Sequence, residues 1–277
     1  MRVCTLGDLL LDVIVRLERP LAPGGDVPAG TLVGPGGQAA NVAAWAAALG
    51  AQARLVGKRA EDEAGALVAG RLGARGVEVL GPVAAGSTGV VVSIVDPAGE
   101  RTMASDRGVA ADLQADELDD AWFADCDWLH LSGYGLVAAP IDGAAAKAAT
   151  ATRSQGGRVS VDLPPWSVID HAGPERVRGR IAAVAPDVVF ATAQEADALG
   201  DPPSASVRVL KLGDRGCVVE REGERLELPA VAADVVDTTG AGDAFAAGFL
   251  LGGSLEDAAR RGLAAAARAV SQLGAMP

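Results

Sequence analysis

Asp237-Thr238-Thr239-Gly240-Ala241-Gly242-Asp243, continuing as AFAAGFL over 244–250, is the stretch on which the reading of this chain turns. Three small residues lead into an apolar run, so they open a helix expected over about 240–252. The first N–H groups of a helix lack intrahelical partners and lie at the positive end of its dipole, which suits an anion. Glycine lets a phosphate approach the backbone closely. Asp243, at the end of the row, would repel a phosphate that merely rested there. The repulsion makes sense if Asp243 faces an attacking hydroxyl while the N–H groups of Gly240, Ala241 and Gly242 face a transferring phosphoryl group. Capping is the plainer role for Asp243, but Asp237, Thr238 and Thr239 already supply caps.

A second glycine-rich loop, Gly34-Pro35-Gly36-Gly37-Gln38-Ala39-Ala40-Asn41, opens a helix expected over 37–50 and closed by Gly50. Gly34, Gly36 and Ala39 match the dinucleotide pattern G-x-G-x-x-A. That pattern belongs after the first strand, with an acid ending the next one. Here the loop comes late, and the next strand ends Val56-Gly57-Lys58 without an acid. Tight helix packing is the structural alternative for these glycines.

Around the two loops, strands and helices alternate. VCTLGD, ARLVGK, DWLHLSG, GRVSVDL, PDVVFAT and SVRVLKLG read as strands, and His130 as a strand residue. GCVVERE and RLELP are further strands, and helices are expected at DEAGALVAGRLGARG, 140–155, QEADALG and 256–273. Continuous apolar strands between helices imply a doubly wound, mostly parallel α/β sheet covered on both faces. Strands near 10–34 and 87–105 break the alternation, the latter a hairpin turning at Asp96–Gly99. They are expected to form a small β-sheet lid on a single domain spanning 1–277. Val13, Val15, Leu32, Val90, Val92 and Ile94, spaced by two, are the candidates for an apolar face there.

Composition excludes several classes. Of 277 residues, 24 are Lys or Arg and 36 are Asp or Glu, a net charge of −12 that disfavours nucleic acid or an anionic membrane as partner. Hydrophobic residues make up 49 % and aromatics 3 %, so small aliphatics must build the core. The N-terminus lacks the features of a signal peptide, and no apolar run is long enough for a membrane span. Cys4, Cys126 and Cys217 lack paired spacing and read as free thiols of a reducing compartment. A cytoplasmic location is expected.

GGQAANVAAWAAALG and DTTGAGDAFAAGFL resemble the two signatures of ribokinase-like carbohydrate kinases, the PfkB family, in the right order and over nearly the whole chain. The resemblance implies a doubly wound α/β domain with a β-sheet lid, and transfer of the ATP γ-phosphate, with Mg²⁺, to a sugar or nucleoside alcohol. It assigns Asp243 as base, and Gly240, Ala241 and Gly242 as anion hole. Asp12, Gly36, Gly37 and Asn41 fall to the acceptor sugar. Lys211-Leu212-Gly213-Asp214-Arg215-Gly216 resembles the ATP loop. Asp237 and Thr239 match positions that bind a monovalent cation such as K⁺ in some members. The family's N-x-x-E motif, which orders Mg²⁺, stands here as Thr192-Ala193-Gln194-Glu195, with Asn replaced by Thr192. D-x-N-x-R, frequent in fructokinase-like members, is Asp162-Leu163-Pro164-Pro165-Trp166, so a charge clamp on the phosphate is lost. On the lid hairpin, Met103, Ser105 and Arg107 are candidates to line the acceptor pocket.

An ATP-dependent sugar kinase is the leading expectation. A nucleoside kinase would need lid apolars or aromatics to stack the base, and Phe and Tyr are few. A non-catalytic sugar or nucleotide sensor would not need Asp243. The sheet's open edges are costly to leave exposed, and the resemblance implies a homodimer through the lid, since two such lids often pack together in members of the family.

Overall fold

The computed structural model describes residues 1–200 and 205–277. The chain starts with β1 (Arg2–Leu6), β2 (Leu10–Leu17) and β3 (Ala29–Gly36), then α1 (Gln38–Ala48). It continues through β4 (Gln52–Val56), β5 (Arg59–Ala60), α2 (Glu63–Gly73), β6 (Val77–Leu80) and β7 (Val83–Ala84). A hairpin follows, β8 (Thr88–Val95) and β9 (Arg101–Gly108), in which Asp96 N–H donates to Glu100 O and Gly99 N–H to Asp96 O. Next come β10 (Trp128–Ser132), α3 (Ile141–Ser154), β11 (Arg158–Asp162), α4 (Trp166–Ala172) and α5 (Pro174–Val184). The remainder is β12 (Val188–Thr192), α6 (Ala193–Leu199), β13 (Val207–Lys211), β14 (Cys217–Arg221), β15 (Glu224–Leu228), α7 (Ala241–Leu250) and α8 (Leu255–Val270).

Nine strands form one sheet in the order β15-β14-β13-β12-β11-β10-β1-β4-β6. All its pairs are parallel except β13–β14 and β14–β15. From β1 the chain winds outward through β4 to β6, then returns to β10 on the other side of β1. That reversal opens a crevice at the carboxyl ends of β1 and β10, where open α/β sheets bind ligands. Both strands are buried almost throughout, as parallel strands covered on two faces must be.

One core layer lies under α1, α7 and α8. Alanines 39, 40, 43, 44 and 46 of α1 are all buried, so the helix packs close against the sheet. Three of the four phenylalanines gather there: the Phe190 ring stands edge-on to Phe249, centroids 5.3 Å apart, with Phe245 beside them. The opposite layer joins Leu6, Leu131 and Val161 to Ile141 of α3 and Ile181 of α5. The sequence reading leaves 163–186 without helices; α4 and α5 form there. His130 is buried in β10, where its Nδ1 meets Ser160 Oγ at 3.0 Å, and burial first, then Lys211, pulls its pKa down to about 3.

The small sheet has the order β3-β2-β8-β9, with β2 and β8 parallel and the outer pairs antiparallel. Its register corrects one expectation. Val13 stands opposite Val33 and Ile14 opposite Leu32, so Leu32 shares the face of Asp12 and Ile14, not that of Val13 and Val15. The cysteine expectation is corrected too. Cys4 of β1 and Cys126, just before the neighbouring β10, are joined by a disulfide across 122 residues, with Cα atoms 6.1 Å apart. Adjacency of β1 and β10 brings the two together, which sequence spacing cannot show. Only Cys217 is a free, buried thiol, and the thiol argument for a reducing compartment falls away.

Phe190 is fully buried at the centre of the aromatic cluster. Phe190→Ala should lower unfolding stability by about 3–5 kcal/mol, the usual cost of a large cavity; chemical denaturation monitored by circular dichroism measures it.

Candidate active site

The two glycine loops meet at the crevice. Helices α1 and α7 pack against each other, and Asn41 Nδ2 donates to Asp243 Oδ2 at 2.7 Å. Close packing explains the first glycines. A Cβ on Gly36 would fall 2.0 Å from the Asp12 carboxyl, so the Asp12 carboxylate rests directly on this backbone. A Cβ on Gly37 would lie 2.3 Å from Asp8 O.

The second loop enters α7 through Gly240 in the left-handed region, φ +76, where a Cβ would meet Ala275 O at 2.5 Å. Of the expected N–H row, Ala241 already donates to Thr238 O at 3.3 Å. The N–H groups of Gly240, Gly242 and Asp243 meet no acceptor among the described residues. The open donors therefore include Asp243's own amide.

Lys211 ends β13 but does not stay with the turn that follows. Its Nζ donates to both Asp162 oxygens at 2.7 Å and lies 3.1 Å from the Cβ position of Gly242. Burial pulls its pKa down, but the charges of Asp162 and Glu195 outweigh this and hold the ammonium above its ordinary range. Gly213 and Asp214 are exposed in the turn between β13 and β14, and Gly216 is buried at its end. Thr192 and Glu195 form a capping box at the start of α6: Glu195 N–H donates to Thr192 Oγ1 at 3.3 Å, and Thr192 N–H to Glu195 Oε2 at 2.7 Å. Glu195 Oε1 stays outside that box, and burial raises the carboxyl above its ordinary range.

Burial also raises Asp243, to about 7; Asn41 and Lys211 pull it down, while Asp162 and Asp12 push it up. Asp12 is raised to about 6 by burial against the pull of Arg101. A carboxyl near 7 suits proton exchange with a hydroxyl at neutral pH.

Arg107 reaches the crevice but is not free. Its Nε and Nη2 donate to the two oxygens of Asp8 at 2.7 and 2.8 Å. Sequence reasoning passed over Asp8, although it is the first acid of the same GDLLLD stretch. It also passed over Tyr134, the chain's single tyrosine, in the turn after β10. Burial and then the charges of Asp243, Asp8 and Glu195 raise its phenol, so it lies among the site's acids. Asp237 and Thr239 lie one loop away, bonded to each other through Thr239 N and Oγ1 at 2.9 and 2.6 Å.

The whole chain, residues 1–277, matches the family model described as pfkB family carbohydrate kinase. The chain belongs to the pfkB family of carbohydrate kinases. It is 34 % identical over 260 residues to an ATP-dependent ribose-1-phosphate kinase of Halopiger xanaduensis, covering 90 % of this chain and 83 % of that one. It is 30 % identical over 269 residues to a fructokinase of Escherichia coli, covering 91 % and 84 %. Among solved structures, an adenosine kinase from Sinorhizobium meliloti superimposes with a TM-score of 0.87 at 28 % identity, over 99 % of this chain and 95 % of that one.

For this pfkB kinase, the stretch that stands in place of D-x-N-x-R meets a cation in space. Asp162, the motif's first residue, pairs with Lys211, which brings a cation to the row of open N–H groups. The Asp12 carboxylate fits against Gly36, where a side chain would displace it. Gly36→Ala should displace the Asp12 carboxylate and raise the acceptor KM by at least ~10-fold, the scale of one lost charged hydrogen bond, with the nucleotide KM little changed. Steady-state kinetics in each substrate checks this.

Proposed function

We propose that the chain is an ATP-dependent sugar kinase that transfers the γ-phosphoryl group to a hydroxyl of a bound sugar. One observation carries the reading: a half-buried carboxylate, Asp243, held by Asn41 beside open N–H groups that the Lys211 ammonium approaches at Gly242.

ATP supplies the phosphoryl group and Mg²⁺ the counter-charge to its phosphates. The donor set fits a metal held largely by phosphate oxygens and water, as Mg²⁺ prefers: no cluster of three or more metal-ligating side chains exists among the described residues. Glu195 Oε1 and the neighbouring Thr192 are the side chains for its water shell. Gly213, Asp214 and Gly216 line the nucleotide, with Lys211 at its phosphates. On the acceptor side, Asp12 receives sugar hydroxyls beside Gly36 and Gly37, and Arg107 is held by Asp8 for the same pocket. With Oδ2 engaged by Asn41, Asp243 has Oδ1 to take the hydroxyl proton as that oxygen bonds to phosphorus and the bond to ADP breaks. The N–H groups of Gly240, Gly242 and Asp243, with Lys211, stabilise the charge that develops.

A sugar is favoured over a nucleoside because none of the four strands of the small sheet carries an aromatic residue to stack a base. The opposite face of that sheet leaves Val13, Val15, Val33, Val90, Val92 and Ile94 half-buried or exposed, which supports a homodimer through it.

Asp243→Asn should cut kcat ~10²–10⁴-fold against a panel of sugars and nucleosides, with ATP binding retained. For the wild type, kcat/KM should fall as pH drops through about 7, because the raised Asp243 carboxyl is then protonated and accepts no proton. Stability runs in the opposite direction: a carboxyl raised by burial costs stability once it ionises as pH rises, so the variant should be at least as stable as wild type at alkaline pH. A variant of near wild-type rate refutes the assigned base. Light scattering of the purified protein should report twice the mass of one chain; a single-chain mass refutes the dimer.

A further inference from the structure

The resemblance that assigns Asp237 and Thr239 to a monovalent cation in some members meets a different arrangement here. Asp237 lies in the loop that leads into Gly240 and α7. Its carboxylate already accepts three hydrogen bonds: Thr239 N–H and Thr239 Oγ1–H at Oδ1, at 2.9 and 2.6 Å, and Gly274 N–H at Oδ2, at 3.0 Å. The remaining negative charge is faced by a guanidinium. Arg101 Nη1 lies 4.0 Å from Asp237 Oδ1 and donates to Thr239 Oγ1. The hydroxyl thus relays one cation to one carboxylate. Thr239 Oγ1 and both Asp237 carboxylate oxygens are thus engaged by donors of this chain, and the charge of the carboxylate is met by a guanidinium.

Arg101 does not belong to the loop. It starts β9, at the end of the small sheet, and the register sets Arg16 and Arg101 on either side of Val95 on the Asp12 face. Arg16 Nη2 donates to Val236 O at 3.3 Å. Two arginines from the small sheet therefore grip residues 236–239, immediately before the open N–H groups. An arginine stays charged throughout the working pH range.

We propose that Arg101 is the resident cation of this loop: it takes the place of an activating monovalent ion and ties closure of the small sheet to ordering of the N–H row. A free ion would order the loop whether the sheet is open or closed. A tethered guanidinium orders it only when the sheet is down, so acceptor capture and assembly of the phosphoryl site become one event. Arg101 is a positioning residue on this account; it acts through Thr239 and Asp237. The catalytic consequence rests on the kinase reading, whereas the cation assignment itself does not.

The test uses the full chain as wild type, Arg101→Ala and Arg101→Lys. KCl is exchanged for tetramethylammonium chloride at constant ionic strength. Thermal midpoint and hydrogen exchange of amides 236–243 are read first, since neither needs turnover. Wild type should show the same midpoint and the same exchange in both salts. Arg101→Ala should exchange faster over 236–243 while the core strand 128–132 stays protected, and Arg101→Lys should recover most of the protection. With a sugar acceptor, Arg101→Ala should lose roughly 10–10²-fold in kcat, as expected when a catalytic group is misplaced, with a smaller change in nucleotide KM. A wild type that K⁺ stabilises or protects over 236–243 relative to tetramethylammonium overturns the proposal. So does unchanged exchange in Arg101→Ala. If no acceptor is phosphorylated by wild type, the kinase reading fails, and the exchange result still decides the role of Arg101.

Discussion

The hydrogen bond from Asn41 to Asp243 joins two segments 202 residues apart, and the candidate site is built around it. It fixes one oxygen of the half-buried Asp243 carboxylate. It also fixes α1 against α7, because each helix contributes its first turns. Alanine dominates α1, and alanine and glycine make up much of α7, so the two helices approach closely enough for so short a bond. Bulkier cores would hold these helices farther apart. The small-aliphatic composition and the placement of the Asp243 carboxylate are thus two aspects of one constraint.

Charge is arranged on the same principle. The chain is strongly acidic, yet three cations approach the crevice and its adjoining loop, each answered by an acid: Lys211 by Asp162, Arg107 by Asp8, and Arg101 by Asp237. A buried pair of this kind does little for stability, since desolvation offsets most of the attraction. Its use lies in holding a cation at a set position. Lys211 illustrates this: Asp162 engages its ammonium from one side, and the other side is turned toward Gly242.

Topology supplies the place for these groups. The crevice between β1 and β10 exists because the chain reverses direction across β1. The small sheet, rising from β2 and β3 on one side and from β8 and β9 on the other, brings Asp12, Arg101 and Arg107 over it on a single face.

Much of this was written in local sequence. The doubly wound sheet followed from apolar strands alternating with helices, and the two glycine loops followed from glycines placed before helical runs. Both signals are short-range: period, propensity and helix-end chemistry act within a few residues. Family resemblance then placed Asp243, Asn41 and Asp12 at one site. Pairings between distant segments were not legible. Cys4 and Cys126 became a disulfide because their strands are neighbours in the sheet. Leu32 fell on the Asp12 face because an antiparallel register, set by the whole pair of strands, decides which side chains share a face. Lys211, read as part of an ATP loop, turned back toward Gly242 because the buried Asp162 at the end of β11 accepts its ammonium. Arg107 met Asp8, and Arg101 met Asp237, only once the small sheet had folded over the crevice. Local chemistry chose the elements and the reactive groups; contacts between residues distant in sequence chose the partners, because only packing brings such groups within reach of one another.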